Sequence, residues 1–573
     1  MAEKIGYYTG AHVKNNVFSF LEKHLTERPG FTVLRWVARP TLEKWAALPE
    51  CPLVHDAITL EPFVDGIRRV AAGFLELGLH AGDRVILFLP MSVPMYTAMS
   101  ALQMIGAVPV FLDSWARRGQ LGVAVQIAQA RGMISFEQAF DFCEGDPVLA
   151  ALPLRIVFGP AKKQYAAGLE QLFAAPRRAA PVPVEQEHTA LITFTTGSSG
   201  KPKGANRTHR FLAAQHYAID AGMPYAASDV DLPLFPIFSL NNIAAGVSTV
   251  LPAIDAGTPG ENDAAVLLAQ IQACGVTCMT LNPWLLSEIS SFCQGRGISL
   301  QSIRRVVAGG AAVSRDQVKR LVAVAPSAEM WVLYGSTEVE PIAHIEAKDM
   351  LSFEGGAAAD PELVDDGVNV GHLVSGLSAK FLTITKGPIT ISTQEDWKLL
   401  EVPAGTVGEL AVSGEHVCRD YVNDEEAFTR SKIRDERGTI WHRTGDLARI
   451  DAKGYLWLVG RVHNVIQRGA TFVFPVRAEI ALKKLPFVVK CAFLGLPDPV
   501  LGERCICVIV PTDASAVGDA AKEARMAAEV ERVMRKNSMP VDAVMFRKAI
   551  PMDPRHHSKV EYEVLKQEIL HEQ

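Results

Sequence analysis

The sequence predicts an α/β protein: a large region of several sheet-and-helix layers followed by a small α+β domain. Three observations lead there. Short apolar runs rich in Val, Ile and Leu alternate with helix-period segments over most of the chain. After about residue 400 the texture changes to shorter strands between Gly turns, as antiparallel pairing requires. Beyond Arg461 a helix, two strands and a second helix succeed one another as a self-contained series. Domains are therefore expected at 1–460 and 461–573.

Taken in order, Phe63 to Leu79 repeats apolar residues at helical spacing and stops at Gly78-Leu-His-Ala-Gly82, a helix with its turn. Arg84-Val-Ile-Leu-Phe-Leu, Val108-Pro-Val-Phe-Leu, Arg155-Ile-Val-Phe, Ala190-Leu-Ile-Thr-Phe and Arg305-Val-Val-Ala read as buried strands. Val85 to Leu112 carries no charge, but Pro90, Pro94 and Pro109 cut it into strand, helix and strand lengths, so no membrane span is expected there. Residues 174–184, rich in Pro and Ala, read as a linker. Gly408–Gly414 and Gly454–Gly460 read as antiparallel strands, and the last domain as helix 477–484, strands 488–496 and 505–511, and helix 520–536.

Composition narrows the function classes. The 573 residues are 49% hydrophobic, with 57 Lys and Arg against 63 Asp and Glu, a net charge of −6. Without a basic excess, nucleic acid is not an expected partner. Residues 461–573 are mildly basic, at 17 cations to 14 anions. The nine cysteines are odd in number and dispersed, which fits reduced, buried thiols rather than a disulfide framework, and none stands at zinc-site spacing. The first residues place charge early and lack a secretory core, so a cytoplasmic protein is expected.

The sharpest chemical signal is Thr193-Phe-Thr-Thr-Gly-Ser-Ser-Gly-Lys-Pro-Lys-Gly204, delivered by the strand before it. Its glycines permit close backbone approach, its hydroxyls donate short hydrogen bonds, and Lys201 and Lys203 add charge, a combination suited to polyphosphate. A Walker loop is excluded, because Pro202 follows Lys201 where Ser or Thr must hold magnesium, and no glycine stands five residues before Gly200.

This run resembles the phosphate loop of the acyl-adenylate-forming superfamily, which includes acyl-CoA synthetases, peptide-synthetase adenylation domains and firefly luciferases. Four further segments match that family's motifs in the same order: Tyr334-Gly-Ser-Thr-Glu338, Gly408-Glu-Leu with Gly414, Trp441-His-Arg-Thr-Gly-Asp446, and Gly454-Tyr-Leu-Trp-Leu-Val-Gly-Arg461. The resemblance implies ATP and Mg²⁺ as cofactors and assigns roles. Thr195, Thr196, Ser198, Ser199, Gly200, Lys203 and Gly204 would handle phosphates, and Gly310, Tyr334 and Thr337 the nucleotide. Glu338 would hold the metal, Asp446 and Arg461 the ribose. Thr196, Glu338 and a late lysine, Lys559, would serve the reaction itself.

The implied chemistry is attack of a carboxylate on the α-phosphate of ATP, giving an acyl adenylate and pyrophosphate. An apolar, fatty-type acid is expected, with Phe235, Phe238, Leu240 and Ile243 as candidate pocket residues and Pro236 where the family often has His. Three departures bear on the second step: His463-Asn464 at the hinge, Ala470 beside the pantetheine path, and Pro551-Met-Asp-Pro-Arg-His-His-Ser-Lys559 in place of the usual Gly-Lys ending. Phe235-Pro-Ile-Phe238, Ser431-Lys-Ile-Arg434 and that ending look like the olefin β-lactone synthetase branch, in which a 3-hydroxy acid closes on its own activated carboxyl. The resemblance therefore leaves the acceptor divided between CoA, a carrier protein and the substrate's own hydroxyl. A non-catalytic acyl- or nucleotide-binding protein is the alternative of a different class, and intact Glu338, Asp446 and Arg461 argue against it.

Overall fold

A computed structural model describes residues 15–47, 53–112, 118–196, 201–255, 260, 262–352, 367–552 and 560–572. Ser198, Ser199, Gly200 and Lys559, and with them His556 and His557, lie outside the described residues, as does Cys51.

Three sheets organise the described chain. In the first, strands run Ala167–Gly168, Leu154–Val157, Gly132–Ser135, Arg84–Leu87, Val108–Phe111, Thr189–Thr196 and Pro202–Thr208, parallel up to the final antiparallel pair. The uncharged stretch noted above becomes Arg84–Leu87, the helix Val93–Met104 and Val108–Phe111. That helix starts where Ser92 accepts from the Met95 N–H, with Pro94 in the first turn, and is buried from Met95 to Met104. It packs with Leu60–Glu76, whose Phe63, Ile67, Val70 and Phe74 are fully buried and repeat at helical spacing. Each such side chain contributes roughly 1.5–3 kcal/mol of burial free energy.

The second sheet has fourteen strands among the described residues. Thr32–Trp36, Ser248–Val250, Val230–Pro233, Cys278–Leu281, Arg305–Ala308 and Glu329–Ser336 are parallel neighbours. From Val339–Glu346 onward the pairing is antiparallel, through Val368–Leu373, Leu456–Arg461, Ile440–Ile450 and Gly408–Gly414 to Leu377–Leu382. The change of texture after residue 400 thus falls within a continuous sheet.

Ile466–Arg468 begins a separate five-stranded sheet with Thr471–Val473, Gly502–Pro511, Val488–Asp498 and Ala543–Phe546. Helices Pro475–Lys483 and Ala520–Lys536 pack with it, the latter capped by Asp519, which accepts from the Ala521 and Lys522 N–H groups. Phe474 packs against Leu447, Val459, Val462 and Val465, joining this smaller unit to the larger sheet. The eight described cysteines are buried. Among the described residues no helix is long and apolar enough to cross a membrane.

Candidate active site

The site is built where the first two sheets and the connection to the third meet around a cavity of about 800 Å³. Strand alternation turns Leu191, Thr193 and Thr195 toward it. The partner strand, in register Thr195↔Lys203, adds Lys203 and Arg207 two alternations apart. Thr196 pairs with Pro202 through the backbone, and its side chain lies outside the description. Gly204 is buried rather than on the cavity wall: an added Cβ would stand 3.0 Å from Phe194 and 3.2 Å from Ile192, and its carbonyl accepts from Val422 N–H at 2.9 Å. Its glycine requirement is a close packing of strands.

The segment Cys418 to Val422 runs along Pro202–Thr208, with Asn206 N–H donating to Asp420 O and Cys418 N–H donating to Glu338 O. That pairing brings Tyr421 to Glu338, and its hydroxyl donates to Glu338 Oε1 at 2.8 Å. Glu338 and Thr337 sit in the turn between Glu329–Ser336 and Val339–Glu346, and Arg207 anchors the turn by donating to Thr337 O at 2.8 Å. Lys432, 2% exposed, donates to Cys418 O and lies 5.2 Å from the Tyr421 ring centroid. Lys203 lies 5.8 Å from the same centroid, so the phenol is near two ammonium groups.

Electrostatics follow from this packing. Burial pushes the Glu338 carboxyl up, but His442, Lys432 and the Tyr421 hydrogen bond outweigh it and hold it at about 2. Burial pushes His442 down to about 3, with Lys432 acting in the same sense, and also lowers Lys432 itself. At neutral pH the cavity therefore holds a Glu338 carboxylate beside a neutral imidazole. No cluster of three His, Cys, Asp or Glu among the described residues could hold a metal. A single ionised carboxylate suits Mg²⁺ all the same, because that ion is commonly held by one or two carboxylates together with substrate phosphates.

A second corner forms across the strands 440–450 and 456–461, where Asp446 and Arg461 are register partners. Arg461 Nε pairs with Asp446 Oδ1 at 2.9 Å, and the Tyr334 hydroxyl donates to Asp446 Oδ2 at 2.7 Å. The Asp446 charge holds the Arg461 guanidinium up, against burial; burial raises the Tyr334 phenol well above its ordinary value, with Asp446 acting in the same sense. Arg461 lines the cavity, whereas Tyr334 and Asp446 stand behind it. Gly309 and Gly310 also line the cavity: a Cβ on Gly309 would meet Leu333 O at 2.8 Å, and Gly310 has φ +82°.

The opposite wall is apolar. Phe235, Pro236, Ile237, Phe238 and Leu240 line it from the start of the helix Pro236–Ala245, where proline fits because the first turn needs no N–H donor. Ile237 and Leu240 also line a second cavity of about 70 Å³, as does Ile243, together with Phe18, Leu21 and Leu212. Val462 and His463 reach the main cavity from the connection between the sheets, and burial, aided by Arg461, pushes His463 down to about 4.

Of the residues expected from sequence, Thr195, Lys203, Gly310, Thr337, Glu338 and Arg461 converge on the cavity, with Tyr334 and Asp446 directly behind Arg461. Sequence reading missed Arg207 and Tyr421, isolated residues outside the motif blocks that strand pairing brings in. Lys432 stood inside the quoted Ser431–Arg434 segment, but without a role at the site. His442 was inside a quoted motif, and its neighbourhood of Lys432 and Glu338 could be seen only in three dimensions.

Residues 43–422 match the family described as AMP-binding enzyme. The chain is 28% identical over 515 residues to an olefin beta-lactone synthetase of Stenotrophomonas maltophilia, covering 87% of this chain and 88% of that protein. It is 26% identical to a feruloyl-CoA synthase of an Amycolatopsis species, over 80% of this chain and 85% of that one. Among solved structures, ATP-bound MatB from Rhodopseudomonas palustris has a TM-score of 0.74 at 21% identity, covering 97% of this chain and 98% of its own. The anthranilate CoA ligase AuaEII in complex with anthranoyl-AMP has a TM-score of 0.75 at 19% identity, covering 97% and 98%. The chain belongs to the AMP-binding enzyme family and is an ATP-dependent, AMP-forming ligase.

Proposed function

We propose that this ligase activates an apolar, fatty-type carboxylic acid as its acyl adenylate. The observation that carries the reading is one cavity in which a Glu338 carboxylate, the cations Lys203 and Arg207, and the Asp446–Arg461 corner face an apolar wall at 235–240. The smaller cavity shares Ile237 and Leu240 with that wall, which supports an apolar acyl group on this side.

In the first step a carboxylate oxygen of the acid bonds to the α-phosphorus of ATP, and the bond from that phosphorus to the bridging oxygen breaks, releasing pyrophosphate. Lys203 and Arg207 offset charge on the phosphates, with Thr195 donating a hydrogen bond. Asp446 accepts from the ribose hydroxyls, and Arg461 fixes Asp446. Glu338 is the residue that would hold Mg²⁺, which when bound neutralises polyphosphate charge. Thr196, Ser198, Ser199 and Gly200 are assigned to the phosphates by their motif, and Lys559 to the developing charge. We place the domain boundary at 460/461, residues 461–573 acting as a mobile cap, and the site of action in the cytoplasm.

In the second step the acyl group passes to an acceptor, CoA or a carrier thiol in a fatty acyl-CoA ligase. A second reading is favoured by the 28% identity to an olefin beta-lactone synthetase. In it the 3-hydroxyl oxygen of the substrate bonds to the acyl carbon, losing its proton, as the bond to AMP breaks. Mass spectrometry of products from ATP, Mg²⁺ and a 3-hydroxy fatty acid, with and without CoA, separates the two. A dehydrated product without CoA means lactone closure, a thioester formed only with CoA means the ligase reading, and absence of AMP under both conditions refutes the proposal.

A further inference from the structure

The loop after the strand Leu377–Leu382 lines the cavity through Thr385, Lys386, Gly387 and Pro388. Its backbone is fastened from below. Arg443, 6% exposed, donates to Thr385 O at 2.9 Å and to Gly387 O, so one guanidinium holds the carbonyls on both sides of Lys386. Arg443 is in turn fixed by Glu409, with Nε to Oε2 at 3.0 Å and Nη2 to Oε2 at 2.6 Å. A buried ion pair thus holds in place the backbone of a loop whose own lysine is exposed at the cavity rim.

Lys386 lines the same cavity as Thr444, Gly445 and Arg461, and its charge acts on His463, which also lines it. A ribose whose hydroxyls are accepted by Asp446, the ion-pair partner of Arg461, carries its 5′-phosphoryl group on the oxygen of its exocyclic carbon, which can extend into the cavity that Arg461 and Lys386 both line. We propose that Lys386 binds the α-phosphoryl group of the nucleotide, in ATP and in the adenylate made from it, as a positive contact supplied by the larger part of the chain. The inference rests on the adenylation reading above and on Asp446 as the ribose residue.

Calorimetric titration of adenosine, AMP and ATP into the full chain tests it. Lys386→Met is expected to weaken AMP and ATP alike, by about 5- to 20-fold for one charge-assisted contact at a partly solvated rim. Adenosine affinity stays unchanged, and Lys386→Arg retains most of the AMP affinity. AMP binding unaffected by Lys386→Met overturns the assignment, because the lysine then serves the polyphosphate tail or only attracts anions from solution. An equal loss for adenosine overturns it too, since the effect is then structural. Wild-type protein binding neither AMP nor ATP overturns the nucleotide reading, and this inference with it.

Discussion

Glu409→Ala is the perturbation whose cost the structure defines most closely. Both side chains of the Glu409–Arg443 pair are nearly inaccessible, at 3% and 5% exposure, and burial pushes the Glu409 carboxyl up against the pull of Arg443. Truncating Glu409 leaves the guanidinium buried with only the carbonyls of Thr385, Gly387 and Arg430 as acceptors. Removing one partner of such a pair costs about 3–5 kcal/mol, while replacing both by apolar residues of similar volume is often neutral or stabilising. With a urea slope of about 3 kcal/mol per M, the single variant should lower the midpoint of the transition that includes the large sheet by about 1–1.7 M. The double variant Glu409→Met/Arg443→Met should recover most of that loss and still bind AMP more weakly, because the 385–387 carbonyls are no longer held. Urea titration followed by tryptophan fluorescence reads the first effect, and AMP titration the second. A single variant with an unchanged midpoint, or a double variant as unstable as the single, would refute the reasoning.

Other expectations concern the cavity itself. Gly309→Ala sets a methyl group 2.8 Å from the Leu333 carbonyl, and thermal unfolding should show a loss of about 1–3 kcal/mol; unchanged stability would mean the contact is looser than its geometry. Tyr421→Phe removes the hydroxyl that donates to Glu338, a charged-group hydrogen bond of about 1.5–3 kcal/mol, so thermal unfolding should show a loss of that order and the Mg²⁺ dependence of AMP formation should shift. Because the Glu338 pKa is depressed, the interactions of its anion stabilise the fold fully above the ordinary carboxylate range and are lost only as pH falls toward about 2. His442 stays neutral down to about 3, so neither group adds a limb to the rate profile between pH 5 and 8. A limb in that window abolished by His442→Gln would contradict this.

Much of the fold was legible because its strands are short apolar runs cut by Gly and Pro. The helix Ala520–Lys536 was bounded correctly because its apolar positions repeat at helical spacing behind Asp519. Pro202–Thr208 was not legible as a strand, since Pro-Lys-Gly-Ala-Asn-Arg-Thr has little β-propensity and is held extended by pairing with Thr189–Thr196. The site divides in the same way. Glu338, Asp446 and Arg461 could be named as candidates because each lies in a contiguous motif. Arg207, Tyr421 and Lys386 were not, and Lys432 was quoted only within Ser431–Arg434 with no role at the site, because their chemistry arises only when separate strands and a pinned loop meet. Gly204 shows the converse: a motif glycine whose structural demand is packing on Phe194.

The central claim is adenylation of a carboxylic acid at the Glu338 cavity, and acid-dependent exchange of labelled pyrophosphate into ATP tests it most directly. Exchange should require a fatty-type acid and Mg²⁺ and fall by at least about 100-fold in Glu338→Ala, in the range seen when a charge-stabilising group is lost from an active site. Exchange without any acid, or at wild-type rate in Glu338→Ala, would contradict it.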